Sequence, residues 1–198
     1  MPVVIEPLER SVTLPHKLWT RAECEALERA GLIDYARFEL LEGELVPKMG
    51  KNQPHMSAAF LLIEWLRSVF GYRFVAEDAT IDLRPEDTPT SAPEPDAIVL
   101  NKIFPQLKVR AAPSDIRFAA EVADTSIDYD LTGKARLYAR SGIAEYWVVD
   151  VNERCVHVHR EPVDGRYRLL LKYGEHERVA TILEPTKDVR VGDLFEIA

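Results

Sequence analysis

Two carboxylates and an amine stand out along this chain because their surroundings are apolar. In "RFAAEVADTS", residues 117–126, Phe118, Ala119, Ala120 and Val122 predict a buried strand, yet Glu121 lies among them. An ionised carboxylate taken out of water is costly unless a cation, a metal or several donors compensate it. Asp96 opens another apolar run, "DAIVL", directly after Pro95 and 25 residues before Glu121. If these strands are neighbours, the two acids converge, and they repel each other unless a cation sits between them. Hard divalent ions such as magnesium, with manganese as a substitute, take oxygen ligands of this kind.

The helix expected after Glu121 supplies the amine. From Glu121 to the strand end near Asp124 is on the order of 10 Å, and from the helix start near Asp128 to Lys134 is on the order of 9 Å. A helix folding back along its strand therefore brings Lys134 level with Glu121. Its phase agrees, because Ile127, Leu131, Lys134 and Tyr138 follow the i, i+4, i+7, i+11 spacing of one stripe facing the sheet. An acid pair, a divalent ion and a lysine are the parts of metal-assisted phosphodiester hydrolysis. The ion polarises phosphate and activates water, while the lysine stabilises developing charge or positions the nucleophile. Hydrolysis of DNA is the reaction class that fits best. Each residue also has a plain structural alternative: Asp96 as a turn residue, Glu121 in an arginine ion bridge, and Lys134 bridged to Asp130 or extended to water.

The elements that must position these groups are legible in outline. Thr20 and Glu23 read as a capping box, so "TRAECEALERAG" is a helix closed by Gly31. "RFELLEGELVPKM" predicts two short strands bending near Gly43, and the apolar spacing from Met56 to Phe70 predicts a helix ended by Gly71. "RFVAEDATIDL" reads as a strand and "RPEDTPTSAPEP" as a loop. Strand "RFAAEVAD", helix "IDYDLTGKARLYARSG" and strand "EYWVVDV" then make a crossover unit, followed by strands "RCVHVHRE" and "RYRLLLKYG". A hairpin at Asn152 and Glu153 joins the first of these to "EYWVVDV". The expected fold class is α/β or α+β with a central mixed β-sheet flanked by helices.

A chain of 198 residues predicts one domain over 1–198, with enough length to bury a core. The formal net charge of −8 argues against non-specific adhesion to nucleic acid or to an anionic membrane. Between Lys102 and Arg140, however, basic residues outnumber acidic ones, so one face could be basic. The amino-terminal "MPVVIEPLERSV" lacks the pattern of a signal peptide, and no apolar run reaches membrane-spanning length, so a cytoplasmic protein with no membrane partner is expected. Cys24 and Cys155 are read as free thiols.

"EPDAIVL", "AAEVADTSIDYDLTGKARLYARSGIAEYWVVDV" and "FELLEGELV" together resemble the Uma-type restriction-endonuclease family, a branch of the PD-(D/E)XK nuclease superfamily, over residues 20–160. The resemblance implies a magnesium-dependent nuclease core, with Pro95-Asp96 as the PD element and Glu121 as the (D/E) residue. The superfamily's usual lysine slot, two residues after that acid, holds Ala123 here, and the resemblance moves the lysine to Lys134 on the following helix. Glu39 resembles a further acidic residue of the site, with Glu42 and Glu44 close by as alternatives.

The resulting expectation is a metal held by Asp96, Glu121 and the backbone carbonyl of Val122, with Lys134 assisting the attacking water. DNA is the partner, and a homodimer would present paired sites to both strands. The competing expectation is a non-catalytic interaction module that retains the scaffold. Three other features read as structural. His55 opens an amphipathic helix and matches a histidine of the resembled family. Tyr138, Tyr146 and Trp147 read as packing. In "CVHVHR", Cys155, His157 and His159 share one strand face; neighbouring pairs could share an ion, but the outer two are roughly 13 Å apart, too far for one zinc. That face is expected to be exposed, with Val156 and Val158 turned inward.

Overall fold

The computed structural model describes residues 16–48, 50 and 52–196. The amino-terminal segment read for a targeting signal and Met49 therefore lie outside the described residues. Helix α1 (Arg21–Arg29) begins at the expected capping box, in which the Thr20 side chain accepts from Glu23 N–H and the Glu23 carboxylate accepts from Thr20 N–H. Strands β1 (Phe38–Leu41) and β2 (Glu44–Pro47) form an antiparallel hairpin whose turn uses positive φ at both Glu42 and Gly43. Helix α2 (Gln53–Phe70) is capped by Asn52 and stopped at Gly71.

The remaining strands build the central sheet. They are β3 (Val75–Glu77), β4 (Ala97–Leu100), β5 (Ile116–Ala123), β6 (Glu145–Asp150), β7 (Cys155–Val163) and β8 (Arg166–Gly174), lying side by side in that order. Only β5 and β6 are parallel, and the connection between them is the crossover; every other neighbouring pair is antiparallel. A two-stranded ribbon, β9 (Arg178–Val179) with β10 (Val189–Arg190), follows and is not anticipated by the sequence reading.

Two of the expected elements are corrected. The strand read across "RFVAEDATIDL" stops at Glu77, because Asp78 adopts φ 48, a left-handed conformation that breaks extended backbone. Ile81 beyond it makes only an isolated bridge to Ala111. The crossover helix is not one continuous α-helix. It runs as α3 (Ile127–Tyr129), a five-residue π-helical turn Asp130–Lys134, and α4 (Ala135–Arg140).

Alternation along β5 divides the core into two layers. Phe118, Ala120 and Val122 face α2 together with Trp147, which stacks on Trp65 at 5.4 Å and meets Phe118 edge-on at 5.2 Å. Ala119 and Ala123 face α4, and Glu121, midway between them, shares their face. Emptying the Trp147 site by truncation to alanine would cost about 3–5 kcal/mol. The sheet is thus buried on both sides where the carboxylate sits.

Candidate active site

Glu121 is 4% exposed, and its position follows from β5 being flanked by paired strands and roofed by the crossover helix. Its Oε1 accepts a hydrogen bond from the Tyr138 hydroxyl at 2.7 Å and lies 3.0 Å from Lys134 Nζ. Lys134 Nζ also lies 3.0 Å from Glu39 Oε2 and 3.7 Å from Asp130 Oδ1. The π-helical turn accounts for this convergence. Its i→i+5 bond, from Ala135 N–H to Asp130 O, widens the helix, so Asp130, Lys134 and Tyr138 all turn inward and are buried. Gly133 permits the turn to pack, because a Cβ there would fall 2.6 Å from the Tyr129 ring.

Asp96 arrives from the other side of β5. The register of β4 on β5 ends at Ala97 opposite Ala120, so Val122 faces that edge beyond the last strand pair. The Asp96 carboxylate takes the vacated place, with its Oδ2 accepting the Val122 N–H at 2.8 Å. In a strand, the N–H and C=O of one residue point to the same edge, so the Val122 carbonyl is directed toward Asp96 as well. Glu39 is tied to the same region by the Glu94 N–H, which donates to its Oε1 at 2.7 Å. The adjoining Ala92 N–H donates to Leu40 O at 2.6 Å, which docks the β1–β2 hairpin on the segment that leads into Asp96.

These side chains line a cavity of about 500 Å³, shared by Glu39, His55, Asp96, Glu121, Asp130 and Lys134. Its electrostatics are lopsided. Burial pushes the Glu121 carboxyl well above the usual range; Lys134 opposes that shift, and Asp130, Asp96 and Glu39 add to it. Burial alone would disfavour the Lys134 ammonium, but Glu121, Glu39 and Asp130 outweigh burial and hold it protonated. Burial also raises the Asp130 carboxyl, although the Ser126 hydroxyl donates to its Oδ2 at 2.6 Å. Among the described residues that line the cavity, carboxyl groups (Glu39, Asp78, Glu94, Asp96, Glu121, Asp124 and Asp130) outnumber the ammonium groups of Lys48 and Lys134.

The structure separates the three candidate glutamates of the first hairpin. Glu39 contacts Lys134, whereas Glu42 pairs with Arg140 at 2.9 Å and Glu44 with His16 at 2.9 Å. Asp130 and Tyr138 extend the set assigned from sequence. Their signal is the four-residue spacing from Asp130 to Lys134 to Tyr138, which places all three on one helical face. His55 also lies in the cavity, with Nε2 3.5 Å from Asp96 Oδ2 and with a buried Nδ1 that has no hydrogen-bond partner among the described residues.

Within the segment from Lys102 to Arg140, Lys102 pairs with Asp115 at 2.5 Å, Arg110 with Glu25 at 3.6 Å and Arg140 with Asp87 at 3.2 Å. One expectation about surfaces is corrected: the Cys155-His157-His159 face is not exposed. Cys155 and His159 are 1% and 5% exposed, because β8 and the tyrosines Tyr146 and Tyr167 cover that side of β7. Val156 and Val158 are fully buried on the opposite face, as expected.

A crystal structure of "a putative nuclease belonging to DUF820" from Anabaena variabilis shares this architecture, with a TM-score of 0.62 at 17% identity over 85% of this chain and 95% of that chain. At that identity the likeness is one of fold, and the fold is a restriction-endonuclease-like core with a mixed sheet flanked by helices. No curated protein sequence matches the chain. A family model described as "Putative restriction endonuclease", Uma2, matches residues 23–186. By that match, which spans most of its length, the chain belongs to the Uma2 family.

Proposed function

We propose that this protein is a magnesium-dependent endonuclease that hydrolyses phosphodiester bonds in DNA. The carrying observation is the buried cluster in which Lys134 Nζ meets Glu121 and Glu39 at 3.0 Å, with Asp96 lining the same cavity. The donor set fits a hard divalent ion, since it consists of carboxylate oxygens and one strand carbonyl without sulfur. Asp96, Glu121 and the Val122 carbonyl would hold the ion, and Glu39 adds a further carboxylate beside them. When bound, magnesium supplies Lewis acidity at the phosphate and at the attacking water.

The chain's own groups do the rest. Because its carboxylate neighbours keep Lys134 protonated, it acts as a fixed cation rather than as a base. It stabilises charge developing on the phosphate oxygens and orients the water. The Tyr138 hydroxyl fixes the Glu121 carboxylate, and the Val122 N–H fixes that of Asp96. A polyanionic backbone would be repelled by an acidic cavity, so ion and nucleic acid are bound together. Two such sites side by side would cut both strands in one encounter, which makes a homodimer part of the proposal. Action in the cytoplasm, where the free thiols Cys24 and Cys155 stay reduced, is the matching location.

The test is cleavage of plasmid and oligonucleotide DNA by purified protein with magnesium or manganese. The wild-type protein cuts, and Asp96→Asn and Lys134→Met each abolish cutting. Cleavage that survives both substitutions overturns the mechanism.

A further inference from the structure

We propose that Asp150, Cys155 and His157 form a zinc site, separate from the acidic cavity and built into the β6–β7 hairpin. Asp150 ends β6 and lies directly opposite Cys155, the first residue of β7, while His157 follows two residues later on the same face. One ligand atom from each of the three lies within 4.8 Å of the other two. The Cys155 Sγ to His157 Nε2 separation is 3.5 Å. With zinc–sulfur and zinc–nitrogen bonds of about 2.3 and 2.0 Å, two ligands of a tetrahedral ion stand roughly 3.6 Å apart, so this pair already has the required spacing.

The carboxylate is oriented for the task. Asp150 Oδ1 accepts the backbone N–H groups of Asn152 at 2.9 Å and Glu153 at 3.0 Å, the kind of outer support that holds a metal ligand in place. Cys155 and Asp150 are buried, but His157 is only partly so, which leaves solvent access from its side. Sulfur and imidazole select zinc over magnesium, the reverse of the all-oxygen cavity. Three protein ligands leave a fourth position for water. On binding, the Cys155 S–H proton passes to solvent and a zinc–thiolate bond forms.

The site shares a sheet face with Glu121, two strands away and roughly 10 Å across the sheet. Its hairpin also braces the rim of the acidic cavity, because Asn152 Nδ2 donates to Asp124 O at 2.9 Å and Val151 N–H to Ala123 O at 3.0 Å. Zinc here would staple the hairpin mouth and stiffen that rim. Lys172, opposite His157 on β8, is held by an ion pair with Glu153.

Cobalt(II) is the probe, since a cobalt–thiolate bond gives a charge-transfer absorption that carboxylate-bound cobalt lacks. The reduced wild-type protein should bind one cobalt with this band, and zinc should bleach it while excess magnesium leaves it intact. Cys155→Ala and His157→Gln, each checked for native circular dichroism, should lose the band and retain magnesium-dependent DNA cleavage. Glu121→Gln should keep the band, so the result stands whether or not the chain is a nuclease. Absence of the band in wild-type protein at excess cobalt overturns the site, as does a band that persists in Cys155→Ala. Should Cys155→Ala misfold, Cys155→Ser decides by the same loss or persistence.

Discussion

Lys134 Nζ and Glu121 Oε1 stand 3.0 Å apart across the junction of the crossover helix and β5, both almost wholly buried. The pair is embedded in excess negative charge, since Glu39 and Asp130 also approach the same ammonium. Removing the lysine leaves these carboxylates buried without their cation, a change that typically costs about 3–5 kcal/mol. Lys134→Met should therefore lower stability by that order in urea denaturation with chelator present, and magnesium should restore more stability to it than to wild type. A loss below about 1 kcal/mol would mean that the lysine does not balance the carboxylates.

The three glutamates of the first hairpin should separate in function. Among the described residues Glu44 forms an exposed pair with His16, worth less than about 1 kcal/mol. Glu39→Gln should reduce cleavage by about 10–100-fold, the usual scale for a group supporting a metal site, and Glu44→Gln should leave it unchanged. Parallel rate measurements check this, and equal effects would remove Glu39 from the site.

Tyr138→Phe removes one hydroxyl and keeps the ring packed against Tyr146 at 4.9 Å. A hydrogen bond to a charged group contributes about 1.5–3 kcal/mol, and its loss frees the Glu121 carboxylate to rotate. Calorimetric titration with manganese should show weaker binding in this variant at nearly unchanged circular dichroism. Unaltered affinity would assign the tyrosine to packing alone.

His159 gives a pH dependence unrelated to catalysis. Burial between Tyr146 and Tyr167 lowers its pKa to about 4, and neighbouring His157 adds to the shift. Its folded pKa lies below its unfolded value near 6.5, so the unfolded chain binds more protons between these limits. The contribution is complete above about pH 6.5 and is lost as pH falls toward 4, with a magnitude on the order of 3 kcal/mol. Burial lowers the His157 pKa as well and adds a change of the same sign. Denaturation midpoints measured in chelator across this range should fall with acid in wild type and fall less in His159→Phe. Identical slopes would show that His159 titrates normally.

Much of this arrangement was legible in the sequence, and what was not has physical causes. Glu121 announced itself as a charge inside an apolar strand, and Lys134 by its place on an otherwise apolar stripe. Asp130 and Tyr138 share the helical stripe of Lys134 and were read only as an ion-pair partner and as packing, because the approach of the Tyr138 hydroxyl to Glu121 exists only once the helix lies on the sheet. Glu39 was named from the family resemblance alone; nothing local in its hairpin separates it from Glu42 and Glu44, whose different partners appear only once the hairpin docks through Leu40 and Ala92. The break at Asp78 escaped for a similar reason, since a left-handed aspartate looks like any other polar residue in a strand. Asp150 escaped the sulfur–imidazole group because its neighbourhood with Cys155 exists only across the hairpin.

On this reading the acids that line the cavity beside β5 hold a divalent cation. Crystals grown with manganese test it most directly through the metal's anomalous scattering. One strong peak bonded to Asp96, Glu121 and the Val122 carbonyl, within reach of Lys134, is the expected result. A map without a peak there at saturating manganese would contradict it.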